Sequence, residues 1–301
     1  MEDYRQSEDY CKYFYSKGWS VEHIGNTKVL IKKIPWIGSV LKIQRGSAQT
    51  SLDELDKIAK KHNALLVAIE PDIKTEDPNY YEFEKYLETN GYRNLDLVFS
   101  PTKTTYIDLS QNENDILMTF DKDLRKGLKH NQNKNIRFRK IDDLDEFYRL
   151  LTATGHRRHV FVQNLADWKN KWGSFGDNLN IITAEMGGKL LGGNMFITTE
   201  SAGFGLFLPT TESGRKNRVA ASLIWEGMKI AKERGCTRFD LNGMYDDRYK
   251  LPRRWKGLTA FKRKFKGHEV EFMHPKVKLY NSKLKVLERL GLLWIFFNDT
   301  S

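Results

Sequence analysis

The densest basic run in the chain comprises Lys122, Arg125, Lys126, Lys129, His130, Lys134, Arg137, Arg139 and Lys140. On a helix, Lys122, Arg125, Lys126 and Lys129 share one face at i, i+3, i+4 spacing, which suits tracking a row of phosphates. A solvated helix face explains the same spacing. A second cluster, Arg253-Arg254-Trp255-Lys256, with Lys262, Arg263, Lys264 and Lys266 downstream, interleaves an indole that can stack on a nucleobase. Asp240 closes the β-like stretch Arg238–Leu241 just before Gly243. From there a carboxylate can reach a cleft and accept a proton or orient an amine. Bonding to neighbouring backbone, or pairing with Lys262, is an equal alternative. Asn242 and Tyr245 either line the same cleft or form a surface turn. Metal chemistry is not expected: the seven histidines are scattered, and His156 with His159 lacks carboxylate or thiol partners at ligand spacing. The two cysteines, Cys11 and Cys236, form neither a disulfide framework nor a CxxC motif, which points to a reducing compartment and hence the cytoplasm.

These groups must be carried by elements that the apolar patterning makes legible. In the first third, the runs 29–34, 40–43 and 65–69 alternate with helical stretches at 52–62 and 80–90, an α/β rhythm. Residues 92–99 read as a further strand, and Ser100-Pro101-Thr102 breaks the pattern. The rhythm then restarts with a strand at 105–109, a helix opening near Ser110 or Asn112, and a basic amphipathic helix over 116–130. A strand at 136–141 and helices at 144–154 and 165–172 follow. Three β-like runs, 180–185, 189–198 and 203–208, imply an antiparallel meander, with Gly187-Gly188 as the first turn. From Val219 to Arg234, Val219, Leu223, Ile224, Met228 and Ala231 fall at helical spacing, with Gly235 placed to cap the helix.

A chain of 301 residues, 40% hydrophobic and 12% aromatic, suits two compact domains. The net charge of +11 favours phosphate- or carboxylate-bearing partners, although a lysine-coated surface accounts for it equally. The charged N-terminus lacks an apolar signal core, and no run approaches the roughly 20 apolar residues that cross a bilayer, so neither export nor membrane spanning is expected. The run 290–297, LGLLWIFF, reads as a terminal helix docking on the first domain or, alternatively, as a shallow membrane contact.

The stretch Arg215-Lys216-Asn217-Arg218-Val219-Ala220, a loop entering a long helix, resembles the cofactor loop of the GNAT acyltransferase fold, Q/R-x-x-G-x-G/A. There glycines let backbone N–H groups approach the coenzyme A pyrophosphate. Arg218 stands at the first glycine position and Ala220 at the second, which disfavours ordinary acetyl-CoA binding. A more specific match follows. Phe239-Asp240-Leu241-Asn242-Gly243, then Gly257-Leu258-Thr259-Ala260-Phe261-Lys262-Arg263-Lys264-Phe265, resembles the FemABX signature, Y/F-D-L/F-x-G followed by G-hydrophobic-x-x-F-K. The helix around Trp225 and the opening T-T-Y-I-D-L-S of the second unit are also similar to that family, so the likeness covers the last two thirds of the chain.

The resemblance implies an α/β (α+β) fold of two GNAT-like domains, mixed sheets flanked by helices. Domain 1 would be residues 1–101 completed by 275–301, and domain 2 residues 102–274. It implies an aminoacyltransferase of cell-wall biogenesis and cell shape, moving an amino acid from aminoacyl-tRNA to an amine on the stem peptide of a muramoyl-pentapeptide precursor, lipid-linked or UDP-linked. Aminoacyl-tRNA would be a co-substrate and no cofactor is called for. Lys262 aligns with the family's F-K lysine, and its ammonium would stabilise the oxyanion or the ribose leaving oxygen, with Asp240 as the second catalytic group and Phe261 beside them. Where some members carry an arginine and an aromatic that contact precursor phosphates, this chain has Gln163 and Asp167, so Arg157, Arg158 and His159 would supply the charge. Asn217 and Arg218 replace tyrosines that often follow the degenerate loop. The family's long coiled-coil arm has no counterpart in the sequence, and a peripheral contact with the inner membrane surface is compatible with the rest. Two other functions fit the same residues: a GNAT-type N-acyltransferase using another acyl donor on a sugar amine, and a non-catalytic tRNA- or membrane-binding module.

Overall fold

The computed structural model describes residues 3–158, 161–249, 251–281, 284–285 and 292–296. The chain forms two compact units. An N-terminal unit takes Arg5–Lys103, Asp246–Leu251 and the chain from Val270 on; a central unit takes Thr104–Tyr245, Pro252–Glu269 and the first residues through Tyr4. Both are mixed sheets flanked by helices, the fold class expected.

In chain order the first elements are α1 (Glu8–Ser16), β1 (Ser20–Ile24), β2 (Thr27–Ile34), β3 (Gly38–Gly46), α2 (Leu52–Lys61), β4 (Ala64–Pro71), α3 (Tyr80–Thr89) and β5 (Arg93–Asn94). Helix α2 begins where Ser51 accepts from the Glu54 N–H, and its acidic first turn and basic last turn both complement the helix dipole. The strand expected over 92–99 shrinks to two paired residues. Beyond them the N–H groups of Phe99 and Ser100 turn to the Glu70 carboxylate, each at 2.7 Å, so they are lost to any ladder.

The central unit follows with β6 (Lys103–Asp108), α4 (Glu113–Thr119), α5 (Lys122–Asn133), β7 (Arg137–Lys140), α6 (Leu144–Arg158), α7 (Leu165–Phe175), β8 (Leu179–Met186), β9 (Lys189–Thr198), β10 (Ala202–Phe207), α8 (Glu212–Lys216), α9 (Val219–Glu233), β11 (Arg238–Asp240), α10 (Arg254–Arg263) and β12 (His268–Glu271). Its sheet runs β12-β6-β11-β10-β9-β8-β7, with β10 and β11 parallel. The helix expected over 116–130 is broken. Phe120 takes an extended backbone to bury its ring edge-on against Trp225 and Phe265, and Asp121 restarts the chain as the N-cap of α5. The α9 residues Val219, Leu223, Ile224, Met228 and Ala231 are all buried, as their spacing requires. Among the described residues no helix exceeds 15 residues, and none is long and apolar enough to cross a membrane.

Strand β13 (Lys276–Leu279) returns to the N-terminal sheet, whose order is β1-β2-β3-β4-β13-β5. It pairs antiparallel with β4, Lys276 opposite Ile69, and with β5, Lys276 opposite Asn94. Of the terminal run read as a helix, the described part is a 3-10 turn, Leu293–Phe296, whose Leu293 is buried beside Val40, Leu65 and Val277. Leu290, Gly291 and Phe297 lie outside the described residues.

One buried group in this unit is costly. Lys42 on β3 is wholly buried, and its ammonium has no hydrogen-bond partner among the described residues; it sits over the rings of Phe14, Trp19 and Phe99 at 4.8, 5.4 and 5.6 Å. Burial pulls its pKa from 10.5 to about 7, while Glu70 acts in the opposite direction. The unfolded chain therefore binds more protons than the fold between these values, so this group makes stability rise with pH across that window. Lys42→Met, which keeps the length and removes the titration, should be more stable than wild type at neutral pH. The difference should narrow as pH rises towards 10, as read by urea denaturation across the range.

Candidate active site

Strand β11 forms because Phe239 is buried against Phe196 and beside Gly203, where a Cβ would come within 2.5 Å of the Phe239 ring. Its pairing with β10 ends at Phe204 opposite Asp240. The chain then turns through two left-handed residues, Asn242 (φ 57°) and Gly243 (φ 35°). Asp240, 4% exposed, holds this turn: its carboxylate accepts from the Asn242 N–H at 2.7 Å and from the Thr104 hydroxyl on β6.

Helix α10 grips the turn from the other side. Lys262, 8% exposed, donates from Nζ to the carbonyls of Asn242 and Gly243, the latter at 2.6 Å. One helical turn earlier, the Thr259 hydroxyl accepts from the Tyr245 N–H at 2.7 Å. Burial lowers the Lys262 pKa to about 8, and the nearby Asp240 carboxylate resists the shift. An ammonium has three protons. Two are committed to the loop, and the third has no partner among the described residues. Tyr245 is half-buried with the Lys256 ammonium 5.0 Å over its ring. The Phe261 ring turns inward, edge-on to Phe265 at 5.6 Å and packed on the central core. Arg253 and Arg254 are exposed at the start of α10, with Trp255 half-buried. Arg263 is clamped by both oxygens of Glu269, at 2.6 and 3.1 Å, whereas Lys264 is exposed.

A second constellation gathers where the coenzyme loop would lie. The segment after β10 docks on β9, through Gly193 N to Pro209 O and Thr211 N to Leu191 O. Gly214 is indispensable to that docking, because a Cβ there would stand 1.9 Å from the Leu191 carbonyl oxygen. Arg157, from the end of α6, and Arg215, from α8, both donate to the Thr210 carbonyl, at 3.2 and 3.3 Å. Desolvation, then the charges of Arg215 and Arg158, lower the Arg157 pKa. Such a like-charge group favours an anion. Arg158 is exposed nearby in sequence, Gln163 is half-buried with its carbonyl accepting from Tyr148, and Asp167 lies in the first turn of α7, where its N–H is capped by Asn164. His159 lies outside the described residues.

Arg218 adopts the left-handed backbone that its glycine position calls for (φ 55°, ψ 35°), with its side chain exposed. Asn131 at the end of α5 donates to its carbonyl and to the Ser222 hydroxyl, and Lys134 donates to Asn217 at 2.8 Å. Of the α5 cations, Lys122, Lys126 and Lys129 are exposed, whereas Arg125 is half-buried against the Met118 sulfur. Thr104, Thr259, Thr210 and Arg215 have structural parts here that spacing did not signal; three of them lie inside strings that carried a family resemblance, but Thr210 lies in none.

The sequence profile of the FemAB family matches residues 3–189, more than half of the chain. No curated protein matches by sequence. Among solved structures, that of FemX superposes with a TM-score of 0.83 at 16% identity, covering 95% of this chain and 94% of FemX. L-PGS from Bacillus licheniformis superposes with a TM-score of 0.57 at 14% identity, covering 91% and 89% of the two chains.

Thr104→Val keeps the shape but strips a buried carboxylate of a donor, and should cost about 1–3 kcal/mol in urea denaturation, with Thr104→Ser close to wild type. Arg218→Gly relieves the left-handed backbone of an exposed residue and should stabilise by up to about 1 kcal/mol, seen as a raised Tm.

Proposed function

The chain belongs to the FemAB family, and on that premise we propose that it transfers an aminoacyl group from aminoacyl-tRNA to an amine on the stem peptide of a peptidoglycan precursor, lipid-linked or nucleotide-linked. The observation that carries the reading is the buried Lys262–Asp240 pair around the turn that leaves β11, at the strand end of an acyltransferase-like fold. An aminoacyl ester is already activated, so no covalent nucleophile is needed. The acceptor nitrogen bonds to the ester carbon, the carbonyl becomes an oxyanion, and the ester C–O bond then breaks to release the ribose hydroxyl. Lys262 donates its remaining N–H to the oxyanion or to the departing oxygen. Asp240 orients the amine and takes its proton, which passes to the leaving oxygen so that the charges balance.

The positions around this pair support the same assignment. Arg253, Arg254 and Trp255, with Lys264, suit the tRNA acceptor end, and Lys122, Lys126 and Lys129 suit its phosphates. Arg157 with Arg215 and Arg158 suits an anionic precursor group. Arg218 stands where the coenzyme-loop resemblance calls for a glycine, which disfavours an acyl-CoA donor. Peripheral contact with the inner membrane surface, and a cytoplasmic location, belong to the same reading.

Mass spectrometry of UDP- and lipid-linked muramoyl-pentapeptide, incubated with the protein and a fully charged tRNA pool, tests it. An amino-acid increment that needs charged tRNA is expected, and Lys262→Ala should lower its rate by about 100-fold or more. An acetyl increment from acetyl-CoA, or no increment on either acceptor, would overturn the assignment. If the ammonium acts, kcat/KM should fall as pH rises through about 8, and Lys262→Arg should lack that limb.

A further inference from the structure

Between β2 and β3 the N-terminal unit turns at Pro35-Trp36-Ile37. Trp36 is fully exposed and Ile37 is 59% exposed, an unusual placement for two large apolar side chains in sequence. The tip is held from below. Ile34 pairs with Gly38, and Ile37 N donates to Ile34 O at 3.1 Å. Ser39 is tied to the end of α2 by its N–H to Asn63 O and its hydroxyl to His62 O. Trp36 itself sits in the left-handed region (φ 66°), which an L-residue adopts only when its surroundings impose it.

A second element exposes apolar groups from the same core. Val40, at the root of the hairpin, shares one buried cluster with Leu293, with Ile34 and Phe296 packed against it. From that turn Leu292 and Ile295 face outward, 36% and 44% exposed. Cations accompany the tip: Lys33 on the hairpin and Lys60 near the end of α2 are exposed, with no acidic partner among the described residues, while Lys61 and His62 are engaged by Glu22.

We propose that the Pro35–Ile37 tip, together with Leu292 and Ile295, is a docking surface for an anionic phospholipid bilayer. The indole would sit at headgroup level, where tryptophan is favoured, and Lys33 and Lys60 would meet lipid phosphates. A hairpin tip is far smaller than the ~800 Å² that each partner gives to a stable protein interface, but it is enough to enter a headgroup layer. The chain's net charge of +11 has the matching sign. The inference deepens the peripheral membrane contact of the proposed function by naming the surface that makes it, and its test needs no transfer substrate, so the surface and the reaction can each fail alone.

Co-sedimentation of the full chain with phosphatidylcholine–phosphatidylglycerol vesicles, against phosphatidylcholine alone, reads the binding. Wild type should bind the anionic vesicles and lose binding in high salt. Trp36→Ser with Ile37→Ser should bind on the order of tenfold more weakly, while Trp36→Tyr stays close to wild type. Absence of wild-type binding, or equal binding by the double variant, overturns the proposal. So does a wild-type dimer in sedimentation velocity that the double variant abolishes, since the tip would then join two copies.

Discussion

A single buried ammonium organises the strand end of β11 in the central unit. Lys262 donates to two successive carbonyls in the turn that leaves β11, and its ammonium has a third proton to give. Carbonyls of left-handed residues cannot join a sheet ladder, so without this partner the Asn242–Gly243 turn would bury unpaired acceptors. Asp240 secures the same turn through its N–H, and Thr104 secures Asp240 from the neighbouring strand. The turn is therefore bracketed by opposite charges, and the Asp240 carboxylate favours the Lys262 ammonium against the cost of its burial. The contacts that define this backbone also bring a carboxylate and an ammonium to one strand end.

The N-terminal unit solves a comparable problem with a carboxylate and a chain of uncharged side chains. Glu70 takes the N–H groups of Phe99 and Ser100 and the Ser100 hydroxyl; Ser100 in turn meets Gln44, which meets Tyr10. A chain leaving a sheet edge would otherwise strand its donors, and this network absorbs them inside the core. Lys276 on β13 is fully buried yet paired with Glu84 at 2.6 Å. Lys42 has no such partner among the described residues and lies against aromatic faces, which favour the cation but cannot replace the hydrogen bonds lost from water.

The loop before α9 joins a left-handed backbone step to a long charged side chain. The backbone keeps the left-handed step at Arg218, but a side chain now stands there, and the preceding residues coil into α8 and spend their N–H groups internally. Arg157 and Arg215 converge on one carbonyl beside it.

Local patterns in the sequence determine most of the elements. Serine at position 51 and the apolar spacing behind it specify α2; Gly187 and Gly188 supply the two positive φ angles of their hairpin; the spacing from Val219 to Ala231 specifies the buried face of α9. The strand end at Asp240 and the Lys262 motif are legible too, because a β-run, a glycine and a signature string lie within a few residues. What the tertiary structure alone decides are the partners. Nothing in Lys276–Leu279 names β4 and β5 as neighbours, nothing in 116–130 announces that Phe120 must leave the helix to reach Trp225 and Phe265, and no spacing directs Lys262 towards backbone or Arg215 towards Arg157. Periodicity records how a segment meets the average of its surroundings, apolar on one side and water on the other. Which donor meets which acceptor depends on segments tens to hundreds of residues away, and only the folded chain brings them into reach.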